Sequence, residues 1–193
     1  MAGKRIIFAA AAALALLAGC GGGGASSTAQ EKAADVKLLN EALGAELTAV
    51  NGFTAGLPLL SGTPRTLAEQ LRAQAQEHVD ALSKSIRGLG GSAAPQPSAL
   101  ETSTLKSPDD FYAFAYELEN STIASHMSAI PKLAGSHLRV LFASIVADEA
   151  QQQVLLRHAL GAGPRGLVPD AFETGASPAP GEESRAEPTP AAP

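Results

Sequence analysis

Two stretches of this 193-residue chain align on each other without a gap. "ELTAVNGFTAGLPLLSG" from Glu46 lies on "ENSTIASHMSAIPKLAG" from Glu119, pairing Glu46 with Glu119, Val50 with Ile123, Pro58 with Pro131, Leu60 with Leu133 and Gly62 with Gly135. The offset is 73 residues; one further residue in the connection brings the next segments into line at an offset of 74. Leu67 then falls on Leu141, Leu71 on Ile145, Leu82 on Leu156 and Ile86 on Leu160. A chain built this way folds as two related units about a pseudo-two-fold axis, each supplying the same positions to one core.

The spacing within the repeat is helical. Leu39, Leu43, Val50, Phe53 and Leu57 recur every three or four residues and predict a helix from about Asp35 to Leu57. A second helix opens with Thr63 as N-cap and Pro64 at the first helical position and runs to Gly88. The third opens on "SPDD", with Ser107 as cap, Pro108 in the first turn, and Asp109 and Asp110 favourable to the helix dipole. The fourth runs from about Ser136 through Leu138, Phe142, Ile145 and Leu156 to Gly161. Pro58 and Pro131 end or kink the first and third helices at equivalent points. Strand signals are absent, and only residues 91 to 107 form a longer connection. The expected fold is all-α: a ferritin-like four-helix bundle of two repeated helix pairs with a longer central crossover.

The ends have other compositions. "MAGKRIIFAAAAALALLAGC" places Lys4 and Arg5 before a short apolar run, the form of an export signal and too short for a comfortable membrane span. Leu17-Ala18-Gly19-Cys20 resembles the bacterial lipoprotein lipobox, and Cys20 is the one cysteine of the chain. That resemblance implies cleavage before Cys20, lipidation there, and an anchor to the cell membrane on its extracytoplasmic face. Residues 1–19 are then the signal peptide, 20–34 a Gly- and Ser-containing flexible tether, 35–174 the bundle and 175–193 a Pro/Ala/Glu-rich disordered tail. A lone cysteine excludes an internal disulfide framework. The formal charge of -5, with no Lys/Arg cluster, argues against a nucleic-acid partner. No phosphate loop or nucleophile elbow is present.

The apolar stripes are interrupted by ionisable residues. In the first helix the stripe 39, 43, 46, 50, 53, 57 contains Glu46; in the second, 67, 71, 75, 78, 82, 86 contains His78. The third brings in Glu119 and His126, the fourth Glu149 and Gln152. Buried carboxylates that meet one another need a cation or retained protons. Bundle cores make dinuclear carboxylate sites this way, with a Glu from each of two helices and Glu-x-x-His from each of the others. Glu77 lies off the stripe and is expected in solvent, as are His137 and His158 at the periphery. Of Gln151, Gln152 and Gln153, only Gln152 is expected to face in.

"LNEALGAELTAVNGFTAGLPLLSG", "EHVDALSKSIRGLGG", "YELENSTIASHMSAIPKL" and "SIVADEAQQQVLLRHALG" together resemble the ferritin-like domain proteins found among exported bacterial lipoproteins. The resemblance implies ligand positions at 46, 75, 78, 119, 149 and 152, where this chain has Glu46, Ala75, His78, Glu119, Glu149 and Gln152. One half has kept its His and lost its Glu; the other has kept its Glu and lost its His. The family arrangement thus implies a di-metal site reduced to one Fe, Mn or Zn ion, held by Glu46, His78 and Glu149 with Glu119 nearby, or to none. His126, seven residues and about 10 Å of helical rise from Glu119, reads as a packed or proton-sharing residue.

Three function classes follow. The first is a metal-binding protein, which as an enzyme would be a metal-dependent oxidoreductase, although two intact metal positions are what oxygen chemistry in this fold requires. The second is a non-enzymatic binding or structural envelope lipoprotein that has lost the site. The third is a bundle that forms a homodimer through exposed apolar surface.

Overall fold

A computed structural model describes residues 28–95, 100, 102–164, 166 and 167. The export signal, Cys20 and the tail from 175 onward lie outside the described residues. The chain forms four long helices: α1 (Ala29–Gly56), α2 (Gly62–Gly88), α3 (Pro108–Ala129) and α4 (Ser136–Ala159). No strand occurs among the described residues, and none of their helices is long and apolar enough to cross a membrane. Two single 3-10 turns, Leu57–Leu59 and Ile130–Lys132, follow α1 and α3 at the equivalent prolines Pro58 and Pro131. The repeat is therefore structural: each unit is a long helix, a proline-containing 3-10 turn and a second long helix.

Local chemistry sets most of the boundaries. α1 begins six residues before the apolar spacing indicates, because Thr28 and Glu31 close a capping box: Glu31 N–H donates to Thr28 Oγ1 and Thr28 N–H to Glu31 Oε2. The tether expected over 20–34 overlaps this helix over 29–34. α2 starts one residue before the expected cap, since Ser61 is the extended residue that precedes it and Gly62 takes φ +60°; Thr63 lies inside the first turn. α3 starts as its sequence indicates, with Ser107 Oγ accepting from Asp110 N–H at 3.1 Å and Pro108 in the first turn. α2 and α4 both stop where a glycine turns left-handed, Gly90 at φ +80° and Gly161 at φ +83°.

α1 packs along α2 and α3 along α4, and the two pairs meet mainly where α1 lies against α3; α2 and α4 touch only sparingly. Small residues permit the α1–α3 approach. A Cβ on Gly56 would lie 2.0 Å from the Phe111 ring, and one on Gly52 2.7 Å from Phe114. The apolar interior falls into two clusters at opposite ends of the bundle. One holds Phe53, Leu71, Phe111 and Tyr116, the other Leu39, Leu82, Leu138 and Phe142. A buried carboxylate ties the pairs together at one end. Asp35, in the second turn of α1, accepts from the backbone N–H groups of Ala134 (2.8 Å) and Gly135 (3.0 Å), at the start of α4. Negative charge at a helix N-terminus is favourable, and these two donors would otherwise be unpaired.

Candidate metal centre

The stripe residues meet between the two apolar clusters. Glu46 from α1, Glu119 and His126 from α3, and Glu149 and Gln152 from α4 are all buried, none more than 3% exposed. His78 from α2 is less enclosed, its side chain 12% exposed. The shared three- and four-residue periodicity of the four helices turns all of these positions inward over the middle stretch of the bundle.

Within this stretch, one group has the geometry of a ligand set. One donor atom from each of Glu46, His126 and Glu149 lies within 4.8 Å of the other two. His126 Nδ1 is 3.3 Å from Glu149 Oε2, and its Nε2 is 3.9 Å from Glu46 Oε1. Phe142 meets the His126 ring edge-on at 5.4 Å and 80°, which fixes its plane. Glu46 Oε1, Glu149 Oε1 and His126 Nε2 are buried and have no hydrogen-bond partner. Donors around one ion at about 2.0–2.2 Å stand roughly 3–4 Å apart, so a contraction of about 1 Å would close this set. Unsatisfied buried acceptors are costly, and a cation is a partner that would satisfy several at once.

Charge reinforces the grouping. Burial pushes the Glu149 carboxyl up to about 9, with the Glu46 charge adding to it. Burial likewise raises Glu119 well above the usual carboxylate range, and the charges of Glu149, Glu46 and Asp148 act in the same direction. Burial lowers the His126 imidazole against the opposing pull of Glu46, so its neutral, ligating form dominates at neutral pH. His78 moves the other way. Its burial would lower it, but the hydrogen bond and charge of Glu46, with the charges of Glu149 and Asp148, outweigh that and raise it. Both its ring nitrogens face carboxylates: Nδ1 is 3.3 Å from Glu46 Oε2 and Nε2 is 3.3 Å from Asp148 Oδ2.

The residues singled out from sequence are thus placed as follows. Glu46 and Glu149 belong to the three-residue group, and His126, read from sequence as packed or proton-sharing, is its histidine. His78 touches Glu46 from outside that group, and Glu119 lies in the same buried layer without joining it. Gln152 is buried but its amide donates to Asp148 Oδ2 at 3.1 Å. Gln153, expected in solvent, is also buried and donates to the Tyr116 carbonyl at 3.0 Å, beside Arg157, which donates to the Tyr116 hydroxyl at 2.9 Å. Glu77, His137 and His158 are exposed. Asp148 carried no sequence signal: it is off the stripe, and the repeat matches it to Gln74.

The pseudo-two-fold does not duplicate this group. The repeat mates of Glu46, His126 and Glu149 are Glu119, Phe53 and Ala75. Phe53 and Ala75 are buried apolar residues of one core cluster, so the second half of the layer offers a single carboxylate.

Comparison with known proteins agrees with this architecture. Residues 34–162 match the family described as "Ferritin-like domain". A solved structure of a conserved hypothetical protein from Mycobacterium tuberculosis superposes with a TM-score of 0.63 at 20% identity, covering 74% of this chain and 99% of that one. Another, described as ferritin-like, diiron-carboxylate proteins from Bacillus anthracis, superposes with a TM-score of 0.59 at 22% identity, covering 67% of this chain and 97% of that one. No curated protein matches the chain.

Proposed function

The chain belongs to the ferritin-like domain family, and from that premise we propose that it is a lipoprotein whose bundle core binds one transition-metal ion through Glu46, His126 and Glu149. The observation that carries this reading is the buried triad, with donor atoms within 4.8 Å of one another and three of its polar atoms lacking hydrogen bonds. One neutral imidazole and two carboxylates suit Fe, Mn or Zn. Such an ion, when bound, supplies Lewis acidity and, if it is Fe or Mn, one-electron redox chemistry. The chain's own residues do the rest. Phe142 orients His126, the apolar clusters exclude water, and Glu119, protonated by burial, adds no third anion. The family's dinuclear chemistry is not part of this reading, because Ala75 and Gln152 stand where the family arrangement implies a Glu and a His. We propose ion binding rather than catalysis as the function.

The location of this activity rests on the sequence. Lys4 and Arg5, the apolar run after them and the lipobox-like residues before Cys20 support export, and anchoring to the extracytoplasmic face of the membrane through a lipid on that cysteine. A competing reading, a structural envelope module without metal, is favoured by one contact set: a charged His78 between Glu46 and Asp148 balances the core with no ion at all.

Elemental analysis separates the two. The purified protein, incubated with Fe(II), Mn(II) or Zn(II) and desalted, is expected to retain one equivalent. Glu46→Ala and His126→Ala should lose it, while His78→Ala retains it. Sub-stoichiometric metal in the wild type, unchanged in all three variants, would establish the metal-free reading.

A further inference from the structure

The triad is deeply buried. Glu46, His126 and Glu149 are each 2% exposed or less. From Glu46 a polar path leads outward through His78 to Asp148, whose side chain is 31% exposed. Gln152 holds the Asp148 carboxylate by its amide at 3.1 Å and leaves its own buried Oε1 without a partner. This path lies at the α2–α4 seam, where the two helices touch only sparingly.

The same seam is hollow above and below. A cavity of about 480 Å³ opens between the start of α2 and the end of α4, at Thr63, Leu67, Leu155 and His158. A second, of about 500 Å³, opens between the end of α2 and the start of α4, at Lys84, Leu89, His137 and Leu141. The repeat maps Thr63 on His137, Leu67 on Leu141 and Lys84 on His158, so the two hollows are mates that flank His78 and Asp148. The opposite side of the bundle is nearly closed. Phe111 and Phe114 fill the space over Gly56 and Gly52, and the cavity that reaches His126 past Glu41 measures about 30 Å³. That admits about one water.

We propose that the α2–α4 seam is the port through which a divalent cation reaches the core, with Asp148 as the capture residue and His78 as the gate. The proposal rests on the ion-binding reading above. Asp148 is the partly exposed carboxylate on the path, and a carboxylate at the mouth of a low-dielectric passage concentrates cations there. His78 closes the passage through its two ring contacts, which must both be released for an ion to pass. Gln152, standing where the family arrangement implies a histidine ligand, positions Asp148 toward His78.

Loading kinetics test this with Co(II) as the probe, following its absorbance after rapid mixing with the metal-free full-length protein. Asp148→Asn is expected to slow loading by about tenfold or more, the scale on which a local charge accelerates association. It should still reach the wild-type plateau. His78→Ala should load faster than wild type. Glu41→Gln removes the same charge from the closed side and should load at the wild-type rate. The port is overturned if Asp148→Asn loads at the wild-type rate, if Glu41→Gln slows loading as much, or if His78→Ala slows it. Absence of Co(II) uptake by the wild type would instead sink the ion site itself, and the port with it.

Discussion

His126 Nδ1 and Glu149 Oε2 stand 3.3 Å apart across the α3–α4 interface, and this contact decides which histidine of the core is ready to ligate. Burial keeps His126 neutral and leaves the Glu149 carboxyl carrying its proton, with the charge and hydrogen bond of Glu46 helping to hold it. An incoming cation displaces that proton rather than competing with an imidazolium. His78, held between two carboxylates, is pushed the other way, above its usual imidazole range.

The first prediction concerns pH. Glu149 titrates at about 9 when folded, against an unfolded value near 4.5. A group whose pKa is raised by folding contributes stability that is complete below its unfolded pKa and lost as pH climbs through the folded one. Glu119 and His78 act in the same sense, whereas His126, lowered by burial, withdraws stability only as pH falls below its usual 6.5. The metal-free protein should therefore melt at progressively lower temperature from pH 7 to 9. The loss is about 1.4 kcal/mol per pH unit for each proton released. Metal affinity should rise over the same range, because the ion requires Glu149 deprotonated. Calorimetric melts with and without Zn(II) check both slopes, and a flat metal-free profile contradicts the protonation assigned to Glu149.

Glu119→Gln separates a buried acid from a ligand. The substitution removes a carboxyl that burial already holds neutral near pH 7. The variant should be at least as stable as wild type at pH 7 and should pull further ahead by pH 9, because the unfolded wild type gives up this proton well below pH 7 while the folded protein keeps it. Retained metal should stay at one equivalent. Loss of metal would place Glu119 in the ligand set.

Asp35→Ala should be among the most damaging single changes outside the metal layer. It strips the Ala134 and Gly135 amides of a charged acceptor that is 1% exposed. A loss of about 2–4 kcal/mol is expected from urea unfolding. Asp35→Asn, which can still accept one of the two bonds, should lose about half as much.

Two glycines of α1 should respond with opposite signs. Gly56→Ala forces a methyl into the Phe111 ring and should cost about 1–3 kcal/mol. At Gly44 an added methyl would meet nothing within 4 Å, so Gly44→Ala should stabilise by about 0.5–1 kcal/mol through helix propensity alone. Thermal melts of the two variants suffice.

The helices were legible because their core faces recur at a fixed period and two of them are copies of the other two. Glu46, Glu119, Glu149 and Gln152 lie inside, as the stripe requires. The start of α1 was less legible: Thr28 and Glu31 cap it well before its first buried apolar residue, in a stretch too polar to show a stripe. The partnership of the acids was not legible either. His78 and His126 both sit on stripes, and choosing between them depends on which ring reaches across the bundle, a distance between side chains that no spacing along one helix encodes. Asp148 was invisible for the same reason, being a surface position whose role comes from His78 on another helix. Gln153 and Arg157 are buried through bonds to Tyr116, whose own position in the core a polar pattern does not reveal.

The Asp35 latch also bears on mechanical load. A pull on the segment ahead of Thr28, such as a membrane tether at Cys20 would exert, enters the bundle at the start of α1. The first turn can unravel without loosening anything else, but at Asp35 the force passes into the beginning of α4 through two hydrogen bonds. Tension on the leash is thereby shared with the opposite helix pair before it reaches the metal layer at Glu46, about three turns further along α1.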